Sequence, residues 1–348
     1  MEKIINKYLN ELSFGYVIST YNKGSINNYV FGNLENFPNQ IKMTYDTLFD
    51  IASLTKIFTS VLIYNAYEEG IISLNSTIYE INPNFKNLKE VTILDLLSHR
   101  IEIWTDGLLK TAKTKKEVMN RIYNSYVKSK KRVYCDSHYI ILSFLLEELY
   151  EISFQDLIQI KIFNYLGLKS ATFNPNIKKN IASTNYENIN GTIKDYVLKG
   201  IVHDDKARVG RIFNKYLGHA GIFINTDDFM KFMSSVFIKY KMLKKETIQL
   251  MLSHDAYYEN NYDLFKTYNY MGTRFKNLVK ELNDVPYAAS DMSFVFTGYT
   301  GPILFVDYKK KIIIIVMSNS VHLTKFSREQ RYKKEVDLLN SIYDKINK

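Results

Sequence analysis

The 348-residue chain holds one cysteine, Cys135. No intrachain disulfide can therefore form, and the chain needs no oxidising compartment. No stretch approaches the roughly 18 consecutive apolar residues of a membrane span. The longest apolar run, KIIIIVMSN at 311–319, reads as a buried β-strand. The N-terminus, MEKIINKYLNELSFGYVIS, lacks an apolar run of signal-peptide length and a small-residue cleavage site. The expectation is a cytoplasmic protein with no membrane contact. Internal repeats and low-complexity linkers are also missing. With 46% hydrophobic and 24% charged residues, the body of the chain is not disordered.

Charge of one sign is in modest excess: 46 Lys+Arg against 36 Asp+Glu, a net +10. The lysines are scattered (Lys113, Lys115, Lys116; Lys128, Lys130, Lys131; Lys309 to Lys311) and no nucleic-acid motif accompanies them. They read as a solvated surface, with no nucleic acid as partner. His203 and His219 lack metal-ligand spacing with any cysteine or second histidine, so no metal is expected.

The pattern along the chain changes twice. Residues 2–12 place Ile4, Ile5, Tyr8, Leu9 and Leu12 at helical spacing. Two β-rich runs around Asn22-Lys23-Gly24-Ser25 read as a hairpin. A helix runs from about Ser53 to Gly70, a plausible C-terminal glycine. From 71 to 290 the signals are helical and loop-like: TILDLLSH, a long stretch from Tyr139 to Leu168, and TDDFMKFMSSVFIKY with Thr226 or Asp227 as N-cap. Polar residues 186–195 read as an exposed loop. Strands return from 293, and a helix over about 327–346 closes the chain. The expected fold is α/β of the α+β kind: one antiparallel sheet built from both chain ends and flanked by helices, with a mostly helical subdomain inserted. It forms a single domain over 1–348, with the sheet subdomain at about 1–50 and 291–348 and the helical one at about 51–290.

Four segments carry chemistry. Ser53-Leu54-Thr55-Lys56 puts a hydroxyl and an amine three residues apart, on one face of a helix. A serine beside an amine is one way to activate a weak nucleophile. The helix N-terminus favours a nearby oxyanion, and its dipole together with desolvation is expected to draw Lys56 below its ordinary value of about 10.4. In Tyr134-Cys135-Asp136, the tyrosine can relay a proton or simply pack. Asp136 can orient Lys56, meet a substrate amide, or cap the following helix. Phe296-Thr297-Gly298 and Tyr299 lie on a late strand, where a glycine lets a ligand approach the backbone. The Tyr299 and Ser53 N–H groups then make a candidate oxyanion hole. His219, between Gly218 and Gly221, reads as a loop residue.

Taken together, TLFDIASLTKIFTS at 47–60 and the VYCDSHYIILSFLL segment resemble motifs of the serine β-lactamase and penicillin-binding-protein superfamily. So do GIVHDDKAR with LGHAGIFINTDDFMKF, and FVFTGYTGPILFVDYKKKIIIIVMSNSVH. The likeness is to the branch of esterases and peptidases related to class C β-lactamases. It spans residues 14–322 in the family's order and implies the β-lactamase/transpeptidase-like fold, with no cofactor. It further implies Ser53 as nucleophile, Lys56 as its base and Tyr134 as proton relay to the leaving group. Asp136 stands where the family usually has Asn. Phe296 stands where it has Lys or His, which implies a weak preference for carboxylate-bearing substrates. SHRIEIW at 98–104 replaces a Ser-Gly-Leu-Pro-like turn and implies a reshaped loop. The implied activity is hydrolysis of a small ester, amide or β-lactam-like substrate through a covalent acyl-enzyme. The alternative is a penicillin-binding or acyl-sensing homologue that acylates with little turnover.

Overall fold

A computed structural model describes residues 1–177, 180–184, 186–189, 192–253, 268–276, 284–323 and 326–348. The central sheet takes its strands from both ends of the chain. They are β1 (Gly15–Asn22), β2 (Ser25–Glu35), β3 (Ile41–Lys42), β4 (Arg274–Phe275), β5 (Ser293–Thr297), β6 (Ile303–Asp307) and β7 (Ile312–Ser318). Their spatial order is β4-β5-β6-β7-β1-β2-β3, antiparallel throughout.

The register explains the unbroken apolar run of β7. Ile313, Ile315 and Met317 enter the core shared with the helices between the two sheet segments, while Ile312, Ile314 and Val316 enter a second core under the terminal segments. A strand covered on both faces reads as continuous rather than alternating hydrophobicity. The second core is closed by α5 (Arg328–Ile346), through Leu338, Leu339, Ile342 and Tyr343.

The larger core is organised by α1 (Thr55–Glu68), α2 (Asp136–Tyr150) and α4 (Thr226–Phe237). Phe58 of α1 stacks on Phe232 of α4 with ring centroids 4.0 Å apart. Helix α1 is buried almost all round, as a helix apolar on every face must be.

Several local expectations change. The N-terminal helix is short, Glu2–Asn6, and gives way to turns before Asn10, whose φ is 65°. Asn225, not Thr226 or Asp227, caps α4, accepting from the Asp228 N–H. The long helical stretch breaks at Glu151, where φ is 55°, and restarts as α3 (Phe154–Ile158) with Ser153 as its cap. Of the loop expected over 186–195, residues 190 and 191 lie outside the described residues, and 186–189 pair with 192–197 as a hairpin. The 98–104 loop turns at His99 (φ 53°) and feeds a short strand, Glu102–Trp104, paired with Tyr126–Ser129. No helix among the described residues is long and apolar enough to cross a membrane.

Candidate active site

Ser53 sits in a single 3-10 turn, Ala52–Leu54, immediately before α1. Asp50 fixes that turn. Its Oδ1 accepts from the Ala52 N–H at 2.8 Å and its Oδ2 from the His203 N–H at 2.7 Å. Its carbonyl accepts from Thr300 Oγ1 at 2.7 Å. Burial pushes the Asp50 carboxyl up to about 6, against the pull of those two N–H groups. Asp50 thus ties three segments together around the serine.

Lys56 follows one turn later, fully buried. Its Nζ lies 3.0 Å from Ser53 Oγ, 2.8 Å from Asp136 Oδ1 and 3.2 Å from the His219 carbonyl. The last contact depends on Gly218: a Cβ there would meet the Tyr139 carbonyl at 2.6 Å and Thr59 Oγ1 at 2.9 Å. Only glycine lets this loop press so closely on α1 and α2.

The carboxylate and the His219 carbonyl can only accept. They therefore claim two of the amine's three non-carbon positions, and the third is left for the Ser53 hydroxyl at 3.0 Å and the neighbouring Tyr134 phenol. As an ammonium, Lys56 gives Ser53 an N–H; as a neutral amine, it turns its lone pair to the same hydroxyl.

The charge state departs from the sequence expectation. Burial alone would lower Lys56, but the Asp136 carboxylate, helped by the Tyr134 phenol, outweighs it and holds the amine above the ordinary lysine value. That direction favours the ammonium as the resting form.

Asp136 is the first residue of α2 and not its cap, which is Cys135. Its second oxygen, Oδ2, meets Lys206 Nζ at 3.1 Å. Lys206 also meets Asp204 Oδ2 at 3.1 Å, and Asp204 Oδ1 lies 2.8 Å from His219 Nε2. Against burial, Lys56, His219 and Lys206 hold Asp136 well below the usual carboxylate range. Asp136, Asp204 and His219 bring ligand-type atoms within 4.8 Å of one another. The Lys206 ammonium already bridges both carboxylates, so the negative charge there is met from within the chain.

Tyr134 is half-buried beside this pair, its ring centroid 4.9 Å from Lys56 Nζ. His99 packs against it at 4.6 Å, and the buried His99 and His138 rings share a 2.7 Å Nδ1···Nδ1 contact. Burial holds both imidazoles below the ordinary histidine value. Phe296 is also buried, its ring edge-on to Tyr134 at 6.5 Å. Thr297, Gly298 and Tyr299 continue from it into the turn between β5 and β6. Gly298 carries no Cβ because one would meet the Ile51 carbonyl at 2.7 Å, so this turn abuts the backbone just before Ser53.

Ser53, Tyr134, Phe296, Thr297, Gly298 and Tyr299 all line one cavity of about 570 Å³. Arg274, Arg328 and Arg331, which no sequence motif singles out, line the same cavity together with Glu329 and Glu335. Arg274 pairs with Asp284 at 2.7 Å. Arg328 has no ion-pair partner among the described residues, and its guanidinium lies 5.3 Å from the Tyr299 ring. These arginines left little trace in the sequence, because their place depends on how α5 crosses the β5–β6 turn. The one signal was Arg328 and Arg331 at i and i+3, a single polar face opening the last helix.

A family model described as Beta-lactamase matches residues 5–338. Among curated relatives, a protein of Salmonella enteritidis provisionally named a D-alanyl-D-alanine carboxypeptidase is 25% identical over 324 residues. That match covers 81% of this chain and 71% of the relative. Solved structures with the same fold include EstCE1, described as a hydrolase with promiscuous acyltransferase activity (TM-score 0.74, 15% identity, 97% of both chains). The D-amino acid amidase of Ochrobactrum anthropi superposes with TM-score 0.74 at 16% identity, over 99% of this chain and 98% of that one. A class C beta lactamase of Rhodobacter sphaeroides gives TM-score 0.70 at 16% identity, over 97% of both.

Proposed function

Because the chain belongs to the beta-lactamase family of serine hydrolases and their relatives, we propose that it hydrolyses a small ester or amide through a covalent acyl-enzyme on Ser53. The observation that carries this reading is the position of Lys56 Nζ, 3.0 Å from Ser53 Oγ with its other two polar directions taken by acceptors. In the neutral form the amine's lone pair faces the hydroxyl. Ser53 Oγ attacks the acyl carbon, its proton passes to Lys56, and the carbonyl π electrons move to oxygen. The Ser53 and Tyr299 N–H groups receive that oxyanion. Collapse expels the leaving group, which takes a proton delivered through Tyr134. Water then repeats the sequence on the acyl-enzyme, with Tyr134 and Lys56 reversing roles. Since the resting amine is charged, the reactive fraction grows with pH, and acylation is expected to accelerate into the alkaline range.

The cavity supports a substrate class. Phe296 supplies no charge, but Arg328, which has no ion-pair partner among the described residues, brings a guanidinium to the cavity beside Tyr299, in a lining that also includes Glu329 and Glu335. Beside the expectation of a weak preference for anionic substrates, Arg328 supports another reading, in which it replaces the missing cation and the substrate is an ester or amide carrying a carboxylate. This agrees with the naming of the Salmonella relative, whose implied substrate ends in one.

Mass spectrometry after incubation with a fluorophosphonate or an activated ester tests the reading. An adduct on Ser53, absent in Ser53→Ala, is expected; no adduct with any acyl probe refutes it. The clamp of Asp136 on Lys56 favours a second reading, an acyl-binding homologue with little turnover. A burst of one equivalent without steady-state release would establish that one instead.

A further inference from the structure

We propose that Arg331 is a positioning residue for the oxyanion hole: it fixes the peptide that follows the Tyr299 N–H donor. The inference rests on the acyl-enzyme reading above. The turn after β5 contains two peptide groups that matter. In the first, the Gly298–Tyr299 peptide, the Gly298 carbonyl points into the turn, where it accepts from the Gly301 N–H at 3.1 Å; the peptide before it is held by the Gly298 N–H, which donates to the Pro302 carbonyl at 2.8 Å. A trans peptide sets its N–H opposite its C=O. The Tyr299 N–H therefore points out of the turn, on the side away from Gly301.

The second peptide carries the Tyr299 carbonyl. It accepts from Arg331 Nη1 at 3.1 Å, and the same nitrogen donates to Ser320 Oγ at 3.0 Å. Ser320 Oγ in turn donates to Glu335 Oε1 at 3.2 Å. Arg331 is buried, with only 4% of its surface exposed, and its guanidinium also lies 5.3 Å from the Tyr299 ring. Helix α5 thus grips the turn through one side chain, while Thr300 Oγ1 grips Asp50, the organiser of the Ser53 turn. The two N–H donors belong to segments pinned to each other, and Arg331 supplies the pin nearest Tyr299. Without it, the Tyr299–Thr300 peptide is held only from its Thr300 side, by the bond to Asp50, and the donor's aim loosens.

The test uses a neutral activated ester, so that loss of a cation does not alter substrate binding. Arg331→Met keeps the aliphatic stem and removes the donors. Arg331→Lys keeps the charge but cannot span both the Tyr299 carbonyl and Ser320. For Arg331→Met the expected result is a fall in kcat of about 10- to 100-fold, part of what losing a whole oxyanion donor costs, with KM within about threefold. The acyl-carbonyl stretch of the trapped acyl-enzyme, read by difference infrared spectroscopy, should move to higher wavenumber as its hydrogen bonding weakens. Arg331→Lys should show the same shift in smaller measure. It also serves as the readout if the Met variant does not fold by circular dichroism. An unchanged stretch with kcat within threefold of wild type in the folded variant overturns the proposal and leaves Arg331 as a packing residue. If wild type forms no acyl-enzyme at all, the hydrolase reading falls, and this proposal with it.

Discussion

Replacing Asp136 by Asn is the sharpest probe of the site, because the amide keeps the shape and an acceptor oxygen while removing the charge. The structure gives the magnitude. One carboxylate oxygen lies 2.8 Å from a fully buried Lys56 Nζ. Coulomb's law at an effective dielectric of about 20 makes that contact worth about 6 kcal/mol. Two facts reduce it: the carboxylate is shared with Lys206, and the Asp136 side chain is 28% exposed. A remaining coupling of about 1.5–3 kcal/mol corresponds to roughly one to two pH units. The sign follows from which form of Lys56 reacts. Asp136 stabilises the ammonium, so its loss lowers the lysine's value and increases the neutral fraction at any given pH. The rising limb of the acylation rate, followed by stopped flow with a chromogenic ester from pH 6 to 10.5, should therefore move down by one to two units. Near pH 7.5 the variant should acylate faster than wild type. Stability should move the other way. In wild type the lowered Asp136 contributes above the unfolded aspartate value of about 3.9 and loses that contribution as pH falls below it. The raised Lys56 contributes below about 10.4 and loses it as pH rises further. Between those limits Asp136→Asn should cost about 1–3 kcal/mol in urea unfolding, less than a wholly buried pair. A limb that stays within 0.3 unit of wild type, taking about that as the resolution of such a profile, would show that Lys56 is not the group whose deprotonation starts the reaction.

Two further outcomes follow from the same geometry. Tyr134→Phe removes one hydroxyl beside Lys56 and should lower kcat/KM by about 10²–10⁴-fold; a change under about threefold makes Tyr134 a packing residue against His99 and Phe296. Arg328→Gln should raise KM for a carboxylate-bearing ester by about 2- to 5-fold, the worth of one exposed charge contact at up to about 1 kcal/mol, and leave a neutral ester unaffected. Equal effects on both substrates would remove Arg328 from recognition.

How much of this was legible in the chain depends on how far each partner lies along it. Ser53 and Lys56 are three residues apart, so helical spacing alone brings them together, and the structure places them 3.0 Å apart. The two-sided burial of β7 was likewise legible in its unbroken apolar run. The charge state of Lys56 was not. Its sign is decided by Asp136, 80 residues away, and a dipole-plus-burial argument gives the wrong direction when a carboxylate sits at 2.8 Å. The segment from His203 to Gly221 read as a loop with a histidine. Its role appears only when Gly218 lets it press against α1, placing the His219 carbonyl on Lys56 and bringing Lys206 to the far side of Asp136. Local errors have local causes: Glu151 and Asn10 adopt left-handed backbone at points where the hydrophobic period runs on, so periodicity alone carried the helices too far. The charge lining the cavity is the most telling case. Phe296 suggested a site without positive charge, because a motif records only the position where relatives keep theirs. Charge in a cavity is set by every element that lines it, and here the last helix supplies Arg328 and Arg331, with Glu329 and Glu335 among them, from 32 or more residues downstream of Phe296. A substituted motif position therefore says which residue was lost, and only the packing of α5 over the β5–β6 turn says whether its chemistry went with it.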